Sequence, residues 1–392
     1  MRSKLLILVL LVAVVTSAAL AQGDAPPPPD LGSGVVVIDG LNSPLGIFVD
    51  EEDTVWLTDG GTGGDQEITA IDVNSQQEVT ANWGETGAVL RWTGEGEPEV
   101  VANVSSLVTP SDIISGGHLT VVDGTVYLTI GVWNPPQGEE VTIPGFSTVA
   151  RVVDGAVEPI ADLWAYEAEN NPDQTINLDA HPYGIEIGPN GEIYVADAAA
   201  NALYSVNAET GEVTTVAVFD PMPGVFPNPL RDNELLTDPV PTSVVVSEDG
   251  TIYVGLLSGA PFIPGSAKVV AVSSEGEVTD FATGLTMVTD ISMGPDGNLY
   301  ATQYGFFTPQ GPEFNSGGVV RILEDGTSEV VVGGLPFVTG VDFDSEGGAY
   351  VLINGVNIPG AGAVVYYEGL TEMEGMPMPM PEMTPEATAP AG

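Results

Sequence analysis

Gly184-Ile-Glu-Ile-Gly-Pro-Asn-Gly-Glu-Ile-Tyr-Val-Ala-Asp197 decides the fold. Apolar residues alternate on both sides of Asn190-Gly191, a pair that tolerates the positive φ of a tight turn, so the stretch reads as a β-hairpin. Segments 46–59, 243–256, 290–303 and 340–353 repeat the pattern, and 118–130 is the same unit with a shorter turn. Asp123-Gly124, Asp249-Gly250 and Asp296-Gly297 supply further turns of this chemistry.

Outward from each hairpin a third apolar stretch follows, at 88–92, 148–152, 202–206, 267–271, 319–322 and 363–367. A fourth closes the first five units, as at 99–103, 213–217 and 329–332. Four short antiparallel strands per unit, repeated, is the signature of propeller blades. The last unit stops after three strands near Gly369, whereas 35–39 is a strand with no unit of its own, ending in Gly40-Leu41 much as other fourth strands end in Gly284-Leu285 and Gly334-Leu335. The expectation is an all-β, six-bladed β-propeller over 35–370, its last blade completed by the N-terminal strand so that no sheet edge is left open. Blades are expected at about 44–107, 110–167, 180–221, 240–285, 286–335 and 336–370 plus 35–41, with long loops at 166–180, 220–239 and 306–316.

Composition bounds the partners. Seven Lys and Arg face 55 Asp and Glu, a formal charge of −48, so a nucleic acid would be repelled. Cysteine is absent, which excludes disulfides, thiolate chemistry and a lipidated cysteine. Arg2 and Lys4, the apolar run 5–15 and the ending Ala19-Leu20-Ala21 read as a signal peptide over 1–21, cleaved after Ala21. Residues 22–34, with four consecutive prolines, and the Met/Pro-rich 371–392 cannot bury a core and are expected to be disordered. A secreted monomer without a membrane span is expected, in a periplasm or outside the cell.

Leu163-Trp-Ala-Tyr-Glu-Ala-Glu-Asn-Asn-Pro-Asp173, His181-Pro-Tyr-Gly184 and Val240-Pro-Thr-Ser-Val244, with the order of the blades, resemble the ScyD/ScyE family. Its members are exported NHL-like propellers named for pigment gene clusters of photosynthetic bacteria. The similarity spans nearly all of 35–370 and brings no catalytic motif with it. It implies binding as the usual role of such propellers.

Chemistry has few places to sit. Two histidines exist, His118 and His181, and no Gly-x-Ser-x-Gly elbow is present. Each histidine, unaccompanied in sequence, is expected as a polar residue bonded to backbone. In a propeller the ends of the innermost strands and the interblade loops converge on one face, and Asp112, His181, Tyr183, Asp197, Asp290 and Asn354 are the candidates to line that channel mouth. Their oxygens suit Ca2+ or another divalent cation, of the kind lactonase-type propellers hold, or else are solvated rim charges; no other cofactor is indicated. Asp342-Phe-Asp-Ser-Glu-Gly347 begins like a calcium loop, but it lacks the acid at the twelfth position and aligns with hairpin turns. Arg91, Arg151, Lys268 and Arg321 all fall on third strands, where pairing with acids of a neighbouring strand is expected.

The leading expectation is a non-enzymatic propeller presenting its loop-rich face to a protein, glycan or small molecule. The alternatives are a metal-dependent hydrolase of lactonase type, with a carboxylate or His181 as base, and a structural envelope protein. Three or more Asp, Asn or His side chains converging at the mouth would favour the enzyme; an apolar mouth would favour binding.

Overall fold

Alternation becomes sheet in the computed structural model, which describes residues 28–378 apart from 72–76, 133–142, 144, 176–177, 229–230, 309–310 and 357. The expected signal peptide, residues 22–27 of the following proline-rich stretch and 379–392 lie outside the described residues. Gly191 adopts φ 80°, and the Asp123-Gly124 turn takes φ 51° and 74°, the left-handed values that select these residue pairs.

Among the described residues, six antiparallel sheets of four or more strands follow one another along the chain. The first is built on Ile47–Val49, Val55–Asp59, Glu78–Trp92 and Glu99–Val108, extended by Ile113–Ile114 and by Gln66–Ile71. The second comprises Gly116–Val122, Thr125–Ile130, Thr148–Val153 and Ala156–Asp162; the third Pro182–Ile187, Glu192–Asp197, Ala202–Asn207 and Val213–Val218. The fourth comprises Pro241–Val246, Ile252–Leu256, Ala267–Val272 and Val278–Leu285; the fifth Val288–Met293, Leu299–Gln303, Gly317–Ile322 and Ser328–Leu335. In the sixth, Gly340–Phe343, Ala349–Ile353 and Gly362–Tyr367 are joined by Val35–Leu41, which pairs with Gly362–Tyr367 in the register Val36 to Val365.

The first strand of each sheet packs on that of the next, and that of the sixth on that of the first. The core lies between consecutive sheets: Leu57 of the first sheet with Leu352 and Val364 of the sixth, Ile193 of the third with Val149 of the second, Val351 of the sixth with Val319 of the fifth. Each such side chain, fully buried, contributes roughly 1.5–3 kcal/mol. Close to the axis the sheets are tied by threonine hydroxyls donating to the neighbouring sheet or its lead-in: Thr58 to Gly117 O, Thr129 to Tyr183 O, Thr242 to Val288 O, Thr289 to Val338 O and Thr339 to Pro44 O, at 2.7–2.9 Å. Glycine permits the same closeness between sheets three and four, because a Cβ on Gly184 would stand 2.5 Å from the Ser243 Cα.

Four segments depart from the expected loops and tail. Leu163–Asn170 is an α-helix, capped by Asp162, whose side chain accepts the Ala165 N–H, and ended by Asn171 at φ 41°. Met222–Asn228 pairs with Glu234–Thr237, and Phe306–Thr308 with Gly311–Glu313. Residues 371–378 do not hang free: Arg321 donates to the carbonyls of Thr371 and Met373, and Met376–Pro377 pairs with the fifth sheet. No helix among the described residues is long and apolar enough to cross a membrane.

Candidate functional site

The hairpin registers place Gly46, His118, Gly184, Ser243, Asp290 and Gly340 at one level of the six first strands. Three glycines and a serine leave this level to two polar side chains. His118 reaches from the second sheet and Asp290 from the fifth, Nδ1 to Oδ1 3.3 Å, both almost wholly buried. Asp290 also accepts the Val341 N–H at 3.0 Å, which fixes the carboxylate and through it the imidazole. The His118 Nε2 is buried without a partner among the described residues.

Two residues further along the same strands, toward the hairpin turns, stand Phe48, Thr120, Glu186, Val245, Ser292 and Asp342. Asp342 binds three sheets together, accepting Val49 N–H from the first and Ser292 Oγ–H from the fifth, each at 2.7 Å. Burial, against those two hydrogen bonds, moves its carboxyl up to about 6. Glu186 accepts only the Ile187 N–H, at 3.0 Å. Burial, with the charges of Asp342 and Asp290 adding to it, pushes Glu186 up to about 8. These groups line a cavity of about 400 Å³ that all six first strands border, and it lies at the hairpin end of the strands.

Apolar residues gather at the opposite, loop end. Tyr183, Leu257, Met287, Tyr304, Phe337 and Val356 form one buried cluster, with Phe307 and Phe314 against it. The rings of Tyr304 and Phe337 are 5.2 Å apart and those of Phe314 and Phe337 5.5 Å. On the loop-rich face, where the channel mouth was expected, the long connections bring aromatic residues together beside buried polar groups such as His181 and Asp197.

The six residues expected there separate accordingly. Tyr183 lies between the two histidines, its ring 5.2 Å from that of His118 and 5.2 Å from that of His181. Burial lowers His181 to about 3, so it is neutral. Asp112 is felt by both Tyr183 and Tyr304, whose hydroxyls burial raises first and its charge raises further. Asp197 accepts the His181, Ala199 and Ala200 N–H groups on Oδ1 at 2.7–3.1 Å, while its Oδ2, like the His181 Nδ1, is buried without a partner among the described residues. Asn354, at φ 55°, donates to Ala361 O. Asp290 alone of the six borders the cavity, and the expectation that His118 bonds only to backbone gives way to its contact with Asp290. Among the described residues no three carboxylate or imidazole groups are placed as a metal ion needs them.

Glu186 and Asp342 were missed by sequence reasoning. Their signal is a charge at the third position of a strand repeat that holds Phe48 and Val245 in other units.

No family model and no curated protein matches this chain. Solved structures do resemble it. A protein of unknown function from Dyadobacter fermentans is 14% identical, over 87% of this chain and 99% of that one, with a TM-score of 0.50. A streptogramin B lyase is 14% identical over 85% and 95%, with a TM-score of 0.44, and a Xanthomonas campestris gluconolactonase 14% over 87% and 98%, also 0.44. At such identity the likeness to the Dyadobacter protein speaks to fold alone.

Proposed function

We propose that this chain is an exported six-bladed β-propeller of the ScyD/ScyE kind, its ring closed by Val35–Leu41, which acts by binding a small molecule at the hairpin end of its axis. The observation that carries this reading is a single cavity bordered by the first strands of all six sheets, with His118, Glu186, Asp290 and Asp342 in its wall. Apolar walls with a few convergent polar groups are the ordinary make-up of a small-molecule site.

One arrangement favours a second reading, hydrolysis. A histidine held by a carboxylate through Nδ1, with Nε2 unpartnered, is the geometry of a general base. Incubating the protein with a panel of lactones, with and without calcium, alongside His118→Ala distinguishes the two. The binding reading expects the same rates for both proteins; hydrolysis that His118→Ala abolishes would make the site catalytic.

A further inference from the structure

We propose that the hairpin-end cavity takes an organic ammonium ion, a primary amine on a short apolar body, with its head among Glu186, Asp290 and Asp342. The inference rests on reading this cavity as the ligand site and names what enters it.

Charge comes first. Seven acidic residues line the cavity, among them Glu186, Asp290 and Asp342 on the first strands of three different sheets, and no lysine or arginine does. An anion would meet these acids with no lysine or arginine opposite, whereas a cation is drawn to those that are ionised and favours ionisation of Glu186, which burial otherwise holds up at about 8. The chain as a whole, at −48, draws cations toward every opening.

Shape comes second. Phe48, Val246 and Met293, partly exposed apolar side chains from three first strands, border the cavity. A strongly hydrated inorganic ion gains nothing from apolar walls, but an alkyl or aryl body does, at roughly 25 cal/mol per Å² removed from water. A space of about 400 Å³ is at the lower end of small-ligand pockets, which favours a compact guest.

Donor geometry comes third. The carboxylates and imidazole are not grouped tightly enough to ligate one metal ion. An ammonium tolerates that spacing, because its three N–H groups point outward and accept partners about 2.7–3.2 Å away from the nitrogen. His118 also borders the cavity, with Nδ1 turned to Asp290 and Nε2 buried without a partner among the described residues. The buried, unpartnered Nε2 is the independent sign that this wall is built for a ligand rather than for solvated charge.

The test is calorimetric titration of the full secreted protein with hexylammonium, hexan-1-ol and hexanoate, three guests of one shape and different charge. Hexylammonium is expected to bind, and the alcohol and the carboxylate to bind at least about tenfold more weakly. Glu186→Gln, which keeps shape, is expected to weaken hexylammonium by about 10–100-fold, the loss typical of one charge-assisted contact, while the protein still melts cooperatively. Val245→Trp, which fills the cavity, should abolish binding of every guest. Hexan-1-ol binding as tightly as hexylammonium, with Glu186→Gln silent, would overturn the ammonium assignment and leave the cavity as the ligand site. Failure of all three guests, or binding that survives Val245→Trp, would overturn both.

Discussion

The two ends of the axis are made from the same six strands and differ in everything else. At the loop end, long connections fold inward and bury aromatic rings, and the polar residues there, Asp197 and Asn354, are used to hold backbone. At the hairpin end the turns are short, and polar side chains on the strands border a cavity. On the proposed reading loop length points away from the site: the long connections gather aromatic residues at one end, and strands present the groups that would meet a ligand at the other.

Substitutions can break this contrast. Phe337→Ala, at the loop end, should cost about 3–5 kcal/mol of stability, the usual loss for a buried phenylalanine, and leave guest affinity at the hairpin end unchanged in parallel denaturation and binding measurements. A loss of binding without a loss of stability would reverse the roles of the ends.

The pH profile comes next. Burial raises Glu167 and Glu186 to about 8, Asp179 to about 7, and Asp197 and Asp342 to about 6. A carboxyl whose folded value lies above its unfolded one holds more protons in the native state, so stability drops as pH climbs from the unfolded toward the folded value. His181, lowered to about 3, acts oppositely, but its gain ends near its ordinary value of 6.5. Five carboxyls outweigh one imidazole, and the melting temperature should decline from pH 5 to pH 8; a steady rise would contradict the burial. Glu186→Gln should flatten the decline.

Asp342→Ala strips partners from Val49 and Ser292 and should cost about 1–3 kcal/mol. Arg321→Ala, away from both ends, should lose about 1–2 kcal/mol with binding unaffected, because its guanidinium joins Glu329 to the carbonyls of Thr371 and Met373. Arg151→Ala, whose contact with Glu158 is exposed at 3.9 Å, should change stability by less than about 0.5 kcal/mol. Equal losses in the two arginine variants would refute the distinction between a half-buried pair and a solvated one.

The hairpins were legible because period-two alternation and Asx-Gly turns are local signals. Third-strand cations were legible for the same reason: Arg151, Lys268 and Arg321 each meet an acid on the fourth strand of their own sheet, although Arg91 instead lies over the Trp56 ring, 5.5 Å away. The helix Leu163–Asn170 was hidden because its buried residues are Leu163 and Glu167, so no apolar stripe marks it. The site was half-legible. Asp290 stood out as a charge opening a strand, but its encounter with His118 depends on two sheets far apart in sequence facing across the axis, which no local pattern encodes.

A crystal structure of the protein grown with hexylammonium measures the central claim directly, by where the density lies. Density between His118, Glu186 and Asp342 is the predicted result. Density instead among Tyr183, Tyr304 and Phe337 at the loop end, with the hairpin-end cavity holding only solvent, would contradict it.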